Sequence, residues 1–264
     1  MYKFSFFLLS IIIIGAFIGP FIYTTSPFSL DPSKILLAPS LEHIMGTDRL
    51  GRDIFARILN GGETSLIIGF LSAIIASLIG LVVGISAGYF RGNYDKSITI
   101  IIDLFLTFPT FFLLLALVSY MEASIFILII VLFITGWMGM ARMIRSESFA
   151  ITHKPFIKVL SLANVSKRKI IFKYFAPLLA PIFLISFTFG VGGAILAESG
   201  LSFLGLGTNS PQISWGSLMS EGKEVIEIAW WVSFFPGLFI FLITFSLMQI
   251  ADFLQQKINT KELY

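Results

Sequence analysis

With 264 residues, 56% hydrophobic and only 12% charged, the chain has the composition of an integral membrane protein and not of a soluble core. A net charge of +3 points to no nucleic-acid partner. Cysteine is absent, which excludes disulfides and thiolate metal sites, and the two histidines, His43 and His153, are too far apart for a local metal motif.

Phe4 to Tyr23 is the first apolar block and is long enough to cross a bilayer. Lys3 precedes it as in a signal peptide, but the run outlasts a signal's apolar region and no cleavage site follows. A retained span with its N-terminus inside is expected. Pro27, Pro32 and Pro39 keep the next stretch, 24–40, extended or turned.

The segment from His43 to Leu66 predicts an amphipathic helix on the outer surface. Thr47 or Asp48 is placed to cap it, Leu50, Ile54, Ile58 and Leu59 form its apolar face, and Gly61-Gly62 is expected to end it. Its first part, Gly46-Thr47-Asp48-Arg49-Leu50-Gly51-Arg52-Asp53, resembles almost letter for letter the Gly-Thr-Asp-x-Leu-Gly-Arg-Asp segment of the dipeptide, oligopeptide and nickel permease family of ABC importers.

The second span, Ser65 to Tyr89, carries Gly80, Gly84 and Gly88, a small-residue ladder that lets helices approach closely in lipid. Arg91 to Lys96 reads as a tight turn. The third span, Ile98 to Met121, contains Phe108-Pro109, where a kink is expected because proline removes a backbone bond. Asp103 lies about one and a half turns inside it. An intramembrane acid suggests an ion path, whereas its nearness to the cytoplasmic end suggests pairing with Arg142 or Arg145. The fourth span is Ala123 to Met140.

A polar run follows, Ala141 to Pro177, with eight Lys or Arg and a single acid, Glu147. Such a loop between spans faces the cytoplasm. Inside it, Phe156, Ile157, Val159, Leu160 and Ala163 recur at helical spacing around Lys158, predicting a short amphipathic helix that starts at Pro155 and ends at Asn164. Ser166 is placed to cap the next helix. The short helix suits either docking into a groove of a partner protein or lying on anionic lipid. Phe156 to Pro177 is similar, by spacing more than by letter, to the cytoplasmic signature loop of binding-protein-dependent permeases. Lys158, Val159 and Leu160 stand at its Glu-Ala-Ala positions, Asn164 at its Gly, and Pro177 closes the pattern.

The fifth span, Phe175 to Ala197, leads into a glycine-rich run that ends at Gly205 and Gly207 and lacks the Gly-Lys-Ser/Thr of a phosphate loop. Glu198-Ser-Gly-Leu-Ser-Phe-Leu-Gly-Leu-Gly207, with Trp215-Gly216 after it, resembles elements of the same permease family. Glu198 either braces the outer gate or meets substrate. Trp230-Trp231 reads as an interfacial anchor for the last span, Trp231 to Phe253, which a short polar tail follows.

These blocks predict an all-α membrane protein of six transmembrane helices, with both termini inside. Lys3, Arg91, Lys96, the loop cations, Lys257 and Lys261 then fall on the cytoplasmic side, and Lys34, Arg49, Arg52, Arg57 and Lys223 outside. The expected organisation is a first span with an external segment over 1–62, a transmembrane unit over 63–254 with its cytoplasmic loop at 141–174, and a tail over 255–264. No Walker A motif or nucleophile elbow occurs, so the chain is not expected to hydrolyse ATP or to act as an enzyme.

The resemblance implies the type I ABC importer fold and a multi-pass permease subunit of the bacterial inner membrane. Its partners would be a second homologous permease, two cytoplasmic ATPases that bind the ATP and Mg, and an external solute-binding protein; no cofactor or metal is expected on this chain. The coupling helix would be Pro155 to Asn164, with Asp103, Pro109, Arg142, Arg145, Glu198, Gly205 and Gly207 as structural or gating residues. Di- or oligopeptides are the implied cargo, with nickel or a metal chelate as the alternative. A proton-coupled transporter built on Asp103 or Glu198 is the alternative of another class.

Overall fold

The computed structural model describes residues 2–122, 124–208 and 211–262. It is helical almost throughout: α1 (Tyr2–Ile22), α2 (Ile54–Phe90), α3 (Gly92–Thr107), α4 (Thr110–Val118), α5 (Ile125–Thr152), α6 (Pro155–Leu162), α7 (Lys167–Ile170), α8 (Ala176–Phe203), α9 (Trp215–Lys223) and α10 (Trp231–Glu262). A π turn, Ile171–Phe175, joins α7 to α8 without a break in the span. The one β feature among the described residues is an isolated bridge between Thr47 and Asp53.

Among the described residues five helices are long and apolar enough to cross a membrane: α1, α2, α5, α7–α8 together, and α10. The pair α3–α4 makes a sixth, broken span, bent by 83°. The break has the expected cause. Pro109 offers no N–H, and Phe108 before it takes extended angles (φ −82°, ψ 136°), as a residue preceding proline must.

The bundle is organised on the parallel pair α2 and α5, the second and fourth spans. A Cβ added at Gly80, Gly84 or Gly88 would lie 2.6–2.7 Å from the Cβ of Met140, Ile144 or Ser148 respectively, so each glycine admits one residue of α5. This is the close approach that small residues permit where lipid supplies no hydrophobic drive. Helices α8 and α10 pack on α2 through a core that includes Leu66, Ile195, Val232 and Ile243. Tyr2 stacks on Phe253 at 3.9 Å, so both ends of the chain lie at the same end of the bundle.

Several boundaries differ from the sequence reading. Gly61-Gly62 does not end a helix: α2 starts at Ile54, capped by Asp53, whose side chain accepts from Ala56 N, and runs 37 residues through both glycines. They are there for proximity, since a Cβ at Gly62 would meet Ala16 and Trp215 at 2.9 Å. Neither Thr47 nor Asp48 is the cap. The turn expected over Arg91 to Lys96 shrinks to Arg91 alone (φ 57°), and α3 begins at Gly92. Helix α5 continues to Thr152, so Arg142 and Arg145 sit on a helix and not in a loop. Helix α8 passes through the glycine-rich run as far as Phe203, and α10 carries the expected polar tail as helix to Glu262. Trp231 is buried, its indole N–H donating to Thr47 O at 3.1 Å, and only Trp230 is exposed.

Candidate functional site

Three parts of the chain hold its polar chemistry. At the basic end, α6 spans Pro155–Leu162 and closes as its sequence requires. Asn164 adopts φ 50° and Val165 N bonds Leu160 O at 3.1 Å, a Schellman-type stop. Ser166 caps α7 by accepting from Lys169 N. The apolar face of α6 is divided. Ile157 is buried and Leu160 packs in the same cluster with Phe175 and Leu179, whereas Phe156, Val159 and Leu162 face outward, the last two 63% and 85% exposed. Lys158, Ala163 and Asn164 are exposed as well. The outward residues, not Leu160, are the ones a partner would meet.

Two ion pairs hold α3 across α5 just above this end. Asp95 takes both Nε and Nη2 of Arg145, and Asp103 takes Nη2 of Arg142. The pairing read for Asp103 is therefore with Arg142. Asp95, read from sequence as part of a turn, is the missed partner of Arg145.

At the opposite end, residues 46–53 form a tight loop pinned from several sides. Gly51 (φ 74°) passes so close to Asp31 O that a Cβ would lie 1.9 Å from it. Asp48 accepts from Leu50 N and Arg52 N through Oδ1, and from Arg52 Nε and Arg57 Nη1 at 2.6 Å through Oδ2. Arg52 and Arg57 both continue to Glu221 on α9. Thr47 Oγ1 donates to Lys34 O and accepts from Leu37 N. Asp53 adds contacts to His43 Nδ1 at 2.8 Å and to the Tyr23 hydroxyl at 3.1 Å; burial, with this carboxylate beside it, pushes the Tyr23 phenol up. Of the motif's side chains, Leu50 is exposed. Arg57 and Glu221 were not singled out in the sequence, because only the fold brings them together.

Glu198 lies beneath this cap, fully buried. Ser202 donates to Oε1 at 2.6 Å, and Ser65 from α2 and Ser199 to Oε2 at 3.3 and 3.4 Å. Trp215 N donates to Ser65 Oγ, and Ser214 Oγ to Ser202 Oγ. Gly205 (φ 83°) ends α8 with Leu206 N bonded to Leu201 O, and Gly207 packs on Ser202 where no Cβ fits. The carboxylate thus ties α2, α8 and the start of α9 through hydroxyls.

Between the two ends, α2, α4, α5 and α8 line an open-sided cavity of about 360 Å³, with Ser72, Thr110, Thr135, Gly139, Met143 and Ser186 among its lining residues and no ionisable side chain. Among the described residues no cluster of His, Asp and Glu could hold a metal.

Residues 80–260 match the family described as binding-protein-dependent transport system inner membrane component. The chain is similar to the oligopeptide transport system permease protein OppC of Haemophilus influenzae, 33% identical over 98% of this chain and 84% of that one. It is also similar to the dipeptide transport system permease protein DppC of Bacillus subtilis, 34% identical over 97% and 80% of the two chains. Among solved structures, the MetNI methionine ABC transporter in an inward-facing conformation shares the fold, with a TM-score of 0.59, 17% identity, and coverage of 74% of this chain and 95% of that one. The chain is a multi-pass protein of the inner membrane and belongs to the binding-protein-dependent transport system inner membrane component family of ABC importers.

Proposed function

We propose that this chain is a permease subunit of an ATP-driven importer and forms half of the pathway for di- or oligopeptides. The outward apolar face of α6 carries the reading. Phe156, Val159 and Leu162 stand free at the basic end, which the positive-inside bias assigns to the cytoplasm, while Ile157 and Leu160 anchor the helix to the spans. A helix exposed on one side and rooted on the other transmits force from a grooved partner. The similarity to peptide permeases over nearly the whole chain supports peptide as cargo.

The partners follow from that reading: a second permease that completes the path, two ATPases that dock on α6 and bind ATP and Mg, and an external solute-binding protein. The chain itself does no covalent chemistry and holds no cofactor. Closure of the ATPases moves α6, and the rocking of the spans alternates access to the path. Residues 46–53, Glu198, Gly205 and Gly207 act as braces of the outer end. The break at Pro109 shapes the middle of the pathway, and the two ion pairs the inner end.

The test is uptake of a labelled dipeptide into proteoliposomes that contain the complete complex and its binding protein. Uptake that needs ATP and survives collapse of the proton gradient supports the reading. Uptake that needs the gradient and ignores ATP returns the chain to the secondary transporters.

A further inference from the structure

The cavity is a slot that follows the spans. Leu132 and Met143 of α5 both line it, and the helical rise between them is about 16 Å. Helix α8 lines the same length in the opposite sense, from Ala197 to Ser186, and the Ser186 hydroxyl meets Met143 Sδ at 3.1 Å. A volume of about 360 Å³ over that length gives a slot on the order of 5 Å wide. A helix, about 10 Å across, does not enter it. An extended chain, which keeps about 4.8 Å from its neighbours in a sheet, does.

The hydroxyls on its wall fall into two groups. Ser72 and Thr135 donate to Ile68 O and Val131 O, one turn back on their own helices, and Ser186 donates to Met143 Sδ. Such bonds are the usual refuge of a hydroxyl on a span. Ser77 and Thr110 line the slot as well, and their hydroxyls have no partner among the described residues. Ser77 is 4% exposed, yet its oxygen is not sealed off as the unbonded hydroxyls of Ser148 and Thr208 are. Thr110 opens α4 directly after the break at Pro109. Much of the remaining wall is small and apolar, with Ala73, Ala76, Gly139 and Gly193 drawn from three helices. A Cβ at Gly139 or Gly193 would meet nothing within 4 Å, so both leave free space. Two unbonded hydroxyls in a membrane span are costly unless the occupant bonds them, which an acyl chain cannot do.

Resting on the peptide-importer reading, we infer that this slot is a transit site for the peptide backbone, in which Ser77 and Thr110 bond the amide groups of the cargo. A hydroxyl both donates and accepts, so it pairs as well with a peptide C=O as with an N–H. An amide taken out of water without such a partner is costly, and the two hydroxyls offset that cost on the way through. Cargo side chains meet no fixed charge on this wall. The slot therefore reads what all peptides share and not what distinguishes one from another.

The test uses the complete complex in proteoliposomes and measures labelled dipeptide delivered per ATP hydrolysed, with the loaded binding protein at saturation. Ser77→Ala together with Thr110→Val is expected to lower that ratio about fivefold, and to a similar extent for Ala-Ala, Ala-Lys and Ala-Glu, while ATP hydrolysis continues. Ser77→Cys keeps the size of the side chain and gives a chain without cysteine a single thiol. Turnover with peptide is expected to slow labelling of that thiol about threefold, compared with ATP and empty binding protein. Should the double variant fail to assemble, the labelling decides alone. An unchanged ratio, or uptake and hydrolysis falling in parallel, overturns the site. Labelling that peptide does not slow also overturns it, and is the result expected if lipid fills the slot. A loss that follows the charge of the cargo's side chain overturns the reading of the backbone. Absence of ATP-driven uptake by the unaltered complex would overturn the functional reading beneath it.

Discussion

Arg57 and Glu221, 164 residues apart in the chain, meet in a two-pronged pair at the far end of the bundle, with Nη1 2.5 Å from Oε2 and Nη2 2.9 Å from Oε1. Arg57 is almost wholly buried and shares Nη1 with Asp48 of the 46–53 loop. One guanidinium therefore holds the external loop, the start of α2 and α9 in a single arrangement. Its removal leaves buried Asp48 with Arg52 as its one cationic partner, beside the N–H groups of Leu50 and Arg52. Arg57→Ala is expected to cost about 3 kcal/mol, as for other broken buried pairs. Thermal unfolding in detergent reads this; a loss below about 1 kcal/mol, the range of exposed pairs, would show that the network is not cooperative.

The glycine ladder makes a prediction with a sign. A Cβ at Gly84 would sit 2.7 Å from Ile144 Cβ and 2.8 Å from Ala141 O, and backbone cannot yield as a side-chain tip can. Gly84→Ala is expected to destabilise by about 2 kcal/mol through overpacking. Gly139 has nothing within 4 Å of the same position, so Gly139→Ala is expected to be neutral or stabilising by about 0.5 kcal/mol through helix propensity. The two melting shifts, measured side by side, should have opposite signs or differ by at least the larger value.

Glu198 separates bracing from substrate contact. In Glu198→Ala the hydroxyls of Ser65 and Ser202 lose their acceptor, with an expected cost of about 2 kcal/mol. Glu198→Gln keeps an acceptor and most of the contacts, so melting and peptide uptake should both stay near those of the unaltered protein. Loss of uptake in Glu198→Gln at unchanged melting temperature would instead put the carboxylate in contact with cargo.

What could be read from the sequence was local. The break at Pro109, the stop at Asn164, the cap at Ser166 and the helix between them depend on residues within a few positions of each other, and all four are in the structure. The glycine ladder was legible because a spacing of four is itself a helical face. The misreadings were tertiary in origin. Gly61-Gly62 looks like a helix end until Trp215 and Ala16 are seen pressed against it, and Trp231 looks like an interfacial anchor until its N–H is seen to reach Thr47 O, 184 residues away. The pairs Arg57–Glu221 and Asp95–Arg145 were hidden for the same reason. The family motifs marked where the outer end is held together, but not which side chains hold it.

The central claim, that α6 is where an ATPase engages this permease, is tested most directly by crosslinking, since the chain has no cysteine of its own. A single cysteine at Val159 or Leu162, on the exposed face, would be paired in native membranes with cysteines in the groove of the partner ATPase, with Ile157→Cys on the buried face for comparison. Crosslinks from Val159 and Leu162 whose yield changes with ATP, and none from Ile157, are the predicted result. No crosslink from either exposed position, in a complex shown to contain both proteins, would contradict it and leave α6 a helix that rests on lipid.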